Sequence, residues 1–152
     1  MERKKLYGSF VLIAVLIASL FVFFKGQKDD HPSSVAQQVV STTTFQFEVS
    51  DTPPKQQKGL SGRASIPANY GMLFVFPKND RYGFWMKDML TPIDILWLSD
   101  NGTIVGVERA VATSTYPHVF YPSKPVRYVL ETRVGEMDAQ GWSTGSTLVL
   151  PL

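Results

Sequence analysis

The longest hydrophobic run of the chain lies near its amino terminus. No charged residue interrupts the 19 positions from Leu6 to Phe24, and a helix of that length spans roughly 28 Å, close to the hydrocarbon thickness of a bilayer. Three basic residues at positions 3–5 precede the run, and the positive-inside rule leaves such a flank in the cytoplasm. The pattern predicts a cytoplasmic basic tip (1–5), a transmembrane signal anchor (6–24) and an extracytoplasmic remainder.

A cleaved signal peptide is the alternative interpretation of this run, and it would make the domain a secreted protein. The apolar core of a signal peptide usually has about 7–15 residues, with a small-x-small cleavage site close behind it. Here the run is longer, and Ser34-Val35-Ala36 lies well downstream of it. These features favour an uncleaved anchor, and the polar segment 25–43 is then a flexible linker between the membrane and the domain.

Beyond the linker, short apolar segments are separated by Gly, Pro, Asn and Asp. The segment 44–49 alternates apolar and polar residues, as a half-buried strand does. The Asn101-Gly102 pair between two apolar runs is a strong hairpin signal. The predicted strands are 44–49, 71–76, 81–86, 93–98, 103–111, 126–131 and 147–152, and the predicted helical segments are 51–58 and 134–140.

This order of elements predicts one α+β, mostly β domain over residues 44–152. We expect a small barrel-like or curled, antiparallel-rich sheet with one or two short helices. Strands 81–86 and 93–98 are predicted to pair through the connection 87–92. A turn is predicted at 77–80 and a loop at 113–125.

Composition and charge exclude several classes of function. The net charge of +2 arises entirely from residues 1–30, which carry five basic and three acidic side chains, so the rest of the chain is neutral and nucleic acid is a poor partner. The absence of cysteine excludes thiol nucleophiles and thiolate metal sites. Only two histidines occur. We therefore expect no metal and no cofactor.

Several sequence blocks resemble the domain of unknown function 192 family. They are GLSGR, GMLFVFP, FWMKDMLTPIDILWL, a DNG turn and YPSKPVRYVLE, and together they extend over about residues 44–150. The resemblance implies a compact β-rich fold with a short helix, and it implies no established reaction. The residues that match the family's pattern are Arg63, Trp85, Lys87, Asp94 and Glu131, whereas Asp88 departs from it.

The block FWMKDMLTPIDILWL holds the first candidate site. Lys87, Asp88 and Asp94 lie among aromatic residues, where burial can move the pKa of a carboxyl toward neutrality and suit it to acid–base work. The structural interpretation, which we favour for Asp94, is that its carboxyl accepts backbone N–H bonds and holds the corner between two strands. Trp85, Lys87 and Asp88 then remain as residues of a shallow pocket.

Arg63 and Glu131 admit the same two interpretations. They form either a salt bridge between two elements or a polar fork that faces a ligand. Tyr116 and His118 lie on a Pro-bounded loop, and loops on a rigid sheet often carry recognition.

Two functions remain open at this point. The first, which we favour, is a membrane-tethered extracytoplasmic module that binds a small molecule, a saccharide or another envelope component. The second is an envelope hydrolase or transferase that uses the carboxyls of Asp88, Asp94 or Glu131. No complete catalytic combination is apparent in the sequence, so we assign no catalytic residue.

Overall fold

The computed structural model describes residues 44–152, and the predicted tip, anchor and linker lie outside the described residues. Within the described part of the chain, no helix is long and apolar enough to cross a membrane. The elements in chain order are β1 (Gln46–Ser50), α1 (Pro53–Lys58), β2 (Tyr70–Asp80), β3 (Phe84–Trp85), β4 (Ile93–Leu98), β5 (Ile104–Val111), β6 (Val119–Phe120), β7 (Val126–Arg133) and α2 (Glu136–Ala139).

Five strands form one mixed sheet in the order β1-β2-β7-β4-β5. β1 is parallel to β2, and the other neighbours are antiparallel. The mostly β fold with two short helices is confirmed, but the barrel-like arrangement is wrong because the sheet is not closed. β1 and β5 do not pair with each other and form its two edges.

Both faces of the central strands are covered, which explains why β4 is apolar almost throughout. All six residues of β4 are buried. Alternate side chains of a strand point to opposite faces, so Ile93, Ile95 and Trp97 enter one core while Leu96 and Leu98 enter the other. The first core, which lies beneath the candidate site, also contains Leu60, Met72, Phe74, Phe84, Met86, Met89 and Val129.

The predicted pairing of 81–86 with 93–98 is wrong. β3 is only two residues long and pairs with β6, which lies in the segment predicted as a loop. β4 has no edge left for β3 because its two edges are taken by β5 and β7. The β4–β5 hairpin at Asn101-Gly102 is confirmed, with Gly102 donating its backbone N–H to the carbonyl of Ser99 at 3.0 Å.

Two further boundaries differ from the prediction. β2 continues through 77–80, where a turn is predicted, and Asp80 pairs with Val126 after an irregularity in the register. Such an irregularity lets a strand accommodate Pro77, which cannot donate a ladder hydrogen bond. The segment 147–152 forms no strand, and only Thr147 makes an isolated bridge, to Thr103.

Gly102→Ala is expected to lower the free energy of unfolding by about 2 kcal/mol, part of it from the left-handed backbone. Gly102 has φ +80°, and an added Cβ would lie 2.5 Å from the backbone oxygen of Leu148. Gly141→Ala is the matched control, because Gly141 also has positive φ but nothing lies within 4 Å of a Cβ there. Urea denaturation measures the free energies of unfolding of the two variants. If both lose the same amount, the close approach of residue 102 to Leu148 does not contribute to the loss.

Candidate functional site

Two glutamates, five positions apart on and after β7, are both buried but differ in their partners. Glu136 accepts hydrogen bonds from Arg133 Nε at 2.7 Å, from Gln140 Nε2 at 2.8 Å and from the Asn69 backbone N–H at 3.0 Å. Oε2 of Glu131 is buried and has no hydrogen-bond partner. A buried polar atom without a partner is costly and uncommon. Glu136 is therefore part of the architecture, while Glu131 requires a separate explanation.

Burial controls the ionisation of Glu131. The side chain is 5% exposed, and loss of solvation raises its pKa from 4.5 to about 8, with the positive charge of Arg63 acting weakly in the opposite direction. Glu131 therefore carries a proton at neutral pH. A protonated carboxyl both donates and accepts hydrogen bonds.

The strand register places Glu131 on the floor of a cleft. It pairs with Met72 of β2 and Ile95 of β4, so its side chain lies on the face of the sheet that carries the first core. Above it passes Gly59, where a Cβ would lie 3.7 Å from Glu131 Oε2 and 3.4 Å from Phe74 Cζ. A larger residue at position 59 would crowd this approach, and the φ of +49° also favours glycine.

The cleft itself has a volume of about 180 Å³ and lies between the end of α1 and β3. Five of its 14 lining residues are aromatic, and two of these, Phe76 and Tyr82, are stacked with ring centroids 3.5 Å apart. Trp85 stands at the rim with 51% of its surface exposed. The residues that line the cleft include Lys58, Gly59, Phe76, Tyr82, Trp85 and Glu131.

Trp85, Lys87 and Asp88 do come together, beside the cleft. They line an open depression with Lys58, Ser61 and Gly62, and Trp85 belongs to both the depression and the cleft. We call this depression the shelf. Two hydrogen bonds hold it in place: Gly62 N–H donates to the Asp88 carbonyl at 2.9 Å, and Ser61 Oγ donates to the Lys87 carbonyl at 2.9 Å.

Arg63 does not pair with Glu131. Its Nη2 lies 2.8 Å from both carboxylate oxygens of Glu48 on β1, and its Nη1 donates to Tyr70 Oη at 2.6 Å. Tyr70 also hydrogen-bonds to Glu48, which lowers the pKa of that carboxyl. Burial, followed by this bond to Glu48, raises the pKa of Tyr70 to about 12. Arg63 thus ties the loop after α1 to β1.

Asp94 is separated from Glu131 by the sheet. It pairs with Thr132, one register position away from the Ile95–Glu131 pair, so its side chain lies on the opposite face. The carboxyl accepts a hydrogen bond from the Ala110 backbone N–H at 2.8 Å and another from Gly135 N–H at 3.1 Å. Both oxygens of this buried carboxyl are used inside the fold.

Tyr116 and His118 lie on the loop that leads into β6. Both are exposed, and neither lines the cleft or the shelf. The His118 ring packs edge-on against Phe120, with centroids 4.6 Å apart. Phe120 pairs with Phe84 of β3, so this loop supports the strand that carries Trp85.

The described residues contain no group of three or more His, Asp or Glu side chains placed to hold a metal ion. The cleft offers one protonated carboxyl, an aromatic wall and one ammonium group, that of Lys58. These groups can bind a ligand through hydrogen bonds and stacking.

Sequence reasoning missed Lys58, Gly59 and the Phe76–Tyr82 stack. Gly59 is recognised from the sequence only as the end of a helix. Its close approach to Phe74 and Glu131 depends on tertiary packing. The one local signal was Glu131 itself, an acidic residue directly after the predicted strand segment VRYVL.

Comparison with known proteins agrees with this architecture. The chain has the features of a small β-rich domain, and it belongs to the DUF192 family, described as "Uncharacterized ACR", whose model matches residues 35–150. No curated protein matches the chain.

Two solved structures are similar. One is a candidate transcription regulator from Sinorhizobium meliloti 1021, at 29% identity and a TM-score of 0.63, with 66% of this chain and 78% of that chain covered. The other is a protein of unknown function from Novosphingobium aromaticivorans DSM 12444, at 24% identity and a TM-score of 0.64, with 70% and 75% covered. The second likeness concerns the fold alone.

Proposed function

We propose that this domain is a binding module for a hydroxyl-bearing ring such as a saccharide. The observation that carries the proposal is the buried Glu131, whose Oε2 lacks a partner on the floor of an aromatic cleft. A ligand hydroxyl supplies that hydrogen-bond partner. The Glu131 carboxyl is protonated at neutral pH, so its O–H can also donate a hydrogen bond to the ligand. The exposed face of Trp85 stacks on the ring.

We propose further that the module is tethered to the outer face of a membrane by residues 6–24, with residues 25–43 as linker. The charge-free run and its basic flank support this placement. A tethered binding module then samples ligands near the envelope surface. Secretion after signal-peptide cleavage is the alternative outcome, and the mass of the mature protein distinguishes the two.

The hydrolase or transferase alternative has less support. Asp94 and Glu131 lie on opposite faces of the sheet, and Asp88 lines the shelf without lining the cleft. A paired-carboxylate mechanism needs two carboxyls flanking one bond. Nor do we carry over a regulator role from the S. meliloti protein, because residues 44–152 hold ten basic and ten acidic side chains and have no excess charge for nucleic acid.

Trp85→Ala is expected to weaken saccharide binding about tenfold or more, as loss of a central aromatic contact does. Isothermal titration calorimetry of the full-length protein in detergent, with glucose, N-acetylglucosamine and cellobiose as ligands, gives the affinities. Tyr116→Ala is the matched control because Tyr116 is 48% exposed, close to the 51% of Trp85, but does not line the cleft. Equal affinities of both variants and the unmodified protein would refute the stacking role, and absence of binding to neutral and anionic sugars alike would refute the module.

A further inference from the structure

The shelf beside the cleft carries two ammonium groups without carboxylate partners. Among the described residues, neither Lys58 nor Lys87 has a carboxylate oxygen within 4.0 Å, whereas Lys55, Lys78 and Arg63 are each paired. Lys58 and Lys87 line the same depression. An anion placed there has two cationic neighbours, and neither of them is already paired with a carboxylate of the protein.

Lys58 and Lys87 lie on segments that hydrogen bonds join to each other. Lys58 Nζ lies over Gly62, 3.5 Å from where a Cβ would stand. Gly62 in turn donates its N–H to the carbonyl of Asp88, and Ser61 bonds to the carbonyl of Lys87. These contacts join the end of α1 to the segment 87–88, so both ammonium groups border a single surface.

Trp85 connects this surface to the proposed ring site, because it lines both the cleft and the shelf. Glu131 is protonated at neutral pH and therefore does not repel an anionic ligand. One opposing charge is present, since Asp88 also lines the shelf and has no cation within salt-bridge distance.

From this arrangement we infer that the ligand is an anionic saccharide. Its ring lies against Trp85 and Glu131, and its carboxylate or phosphate group lies between Lys58 and Lys87. The inference rests on the proposed function and adds the charge of the ligand to it. Exposed ion pairs contribute about 0.2–1 kcal/mol each. Two such contacts correspond to a preference of about two- to thirtyfold over the neutral sugar.

The test compares the full-length protein's affinities for glucose, glucuronate, glucose 6-phosphate and inorganic phosphate at about 0.01 M and about 0.3 M salt. We expect the two anionic sugars to bind about two- to thirtyfold more tightly than glucose at low salt, and we expect the advantage to shrink at high salt. Lys58→Gln and Lys87→Gln each reduce this ratio, Asp88→Asn increases it, and Lys78→Gln, outside the shelf and paired with Asp80, preserves it.

The outcomes separate the two proposals. Glucose binding without any preference for the anionic sugars overturns the inference and leaves the proposed function standing. Binding of inorganic phosphate as tightly as glucose 6-phosphate also overturns it, because the ring then contributes nothing to recognition of the anion. Absence of binding by all four compounds overturns both. A preference for glucose 6-phosphate alone or glucuronate alone supports the inference and identifies which anion the shelf accepts.

Discussion

Glu131→Gln is expected to stabilise the domain at pH 8, and its effect is expected to vanish near pH 4. The side chain is buried without a partner for Oε2, and burial raises its pKa from 4.5 to about 8. Glutamine has nearly the same shape and never ionises. In the unmodified protein, folding at pH 8 costs free energy because the buried carboxyl is kept from ionising as it does in the unfolded chain. The substitution removes that cost.

The direction of this pH dependence follows from the linkage between proton binding and folding. Between pH 4.5 and about 8 the folded state holds the Glu131 proton while the unfolded state releases it, so the free energy of unfolding falls as the pH rises. Below pH 4.5 both states are protonated and the loss is absent. At about 1.4 kcal/mol per pH unit, the loss approaches 5 kcal/mol at pH 8 as an upper limit.

Urea denaturation of the Glu131→Gln variant and the unmodified protein at pH 4, 6 and 8 measures this difference. The matched control is Glu136→Gln, because Glu136 is also buried but hydrogen bonds from Arg133 and Gln140 overcome the effect of burial and lower its pKa. That variant is expected to be less stable than the unmodified protein at neutral pH. A Glu131→Gln effect that is constant from pH 4 to 8 would contradict a buried, protonated Glu131.

Asp94→Ala is expected to lower the free energy of unfolding by about 3–5 kcal/mol. The buried carboxyl accepts the backbone N–H groups of Ala110 and Gly135, and alanine leaves both donors without a partner. A hydrogen bond from a backbone N–H to a carboxylate contributes about 1.5–3 kcal/mol, and two such bonds account for the expected loss. The bond to Gly135 also fixes the turn between β7 and α2, so we expect the loss to include local order there.

Thermal and urea denaturation check this prediction, with Asp100→Ala as the control. Asp100 lies exposed in the hairpin turn between β4 and β5, and its removal is expected to change stability by less than about 0.5 kcal/mol. Equal stability of Asp94→Ala and Asp100→Ala would mean that the two backbone bonds contribute little. Ligand affinity measured on the folded fraction of Asp94→Ala is expected to match that of the unmodified protein, because Asp94 lies on the other face of the sheet from the cleft.

The features that the sequence predicts well are those determined by residues that are neighbours along the chain. The six residues of β4 and the Asn101-Gly102 turn are fixed by an apolar run and by a glycine with positive φ. Asp94 could be assigned a role in backbone hydrogen bonding because few other roles suit a single carboxyl in an otherwise apolar strand.

Partners across long sequence separations could not be predicted from these patterns. Alternation specifies the face that a side chain occupies but not the neighbouring strand, so nothing local indicated that β3 pairs with β6. Arg63 pairs with Glu48 because β1 runs parallel to β2 and brings Glu48 beside Tyr70. The cleft exists only because Gly59 passes over Glu131, a contact between distant segments.

If Glu131 and Trp85 together bind a hydroxyl-bearing ligand, one NMR titration detects the ligand at both side chains. Glucose and glucuronate are added to protein labelled with ¹³C at the glutamate side-chain carboxyls and ¹⁵N at the tryptophan indoles. We expect one sugar or both to shift the Glu131 carboxyl and Trp85 indole signals with the same dissociation constant, and the Trp142 indole signal to stay in place. Saturation of the protein with either sugar while the Glu131 and Trp85 signals do not move, or no response to either sugar, would contradict this expectation.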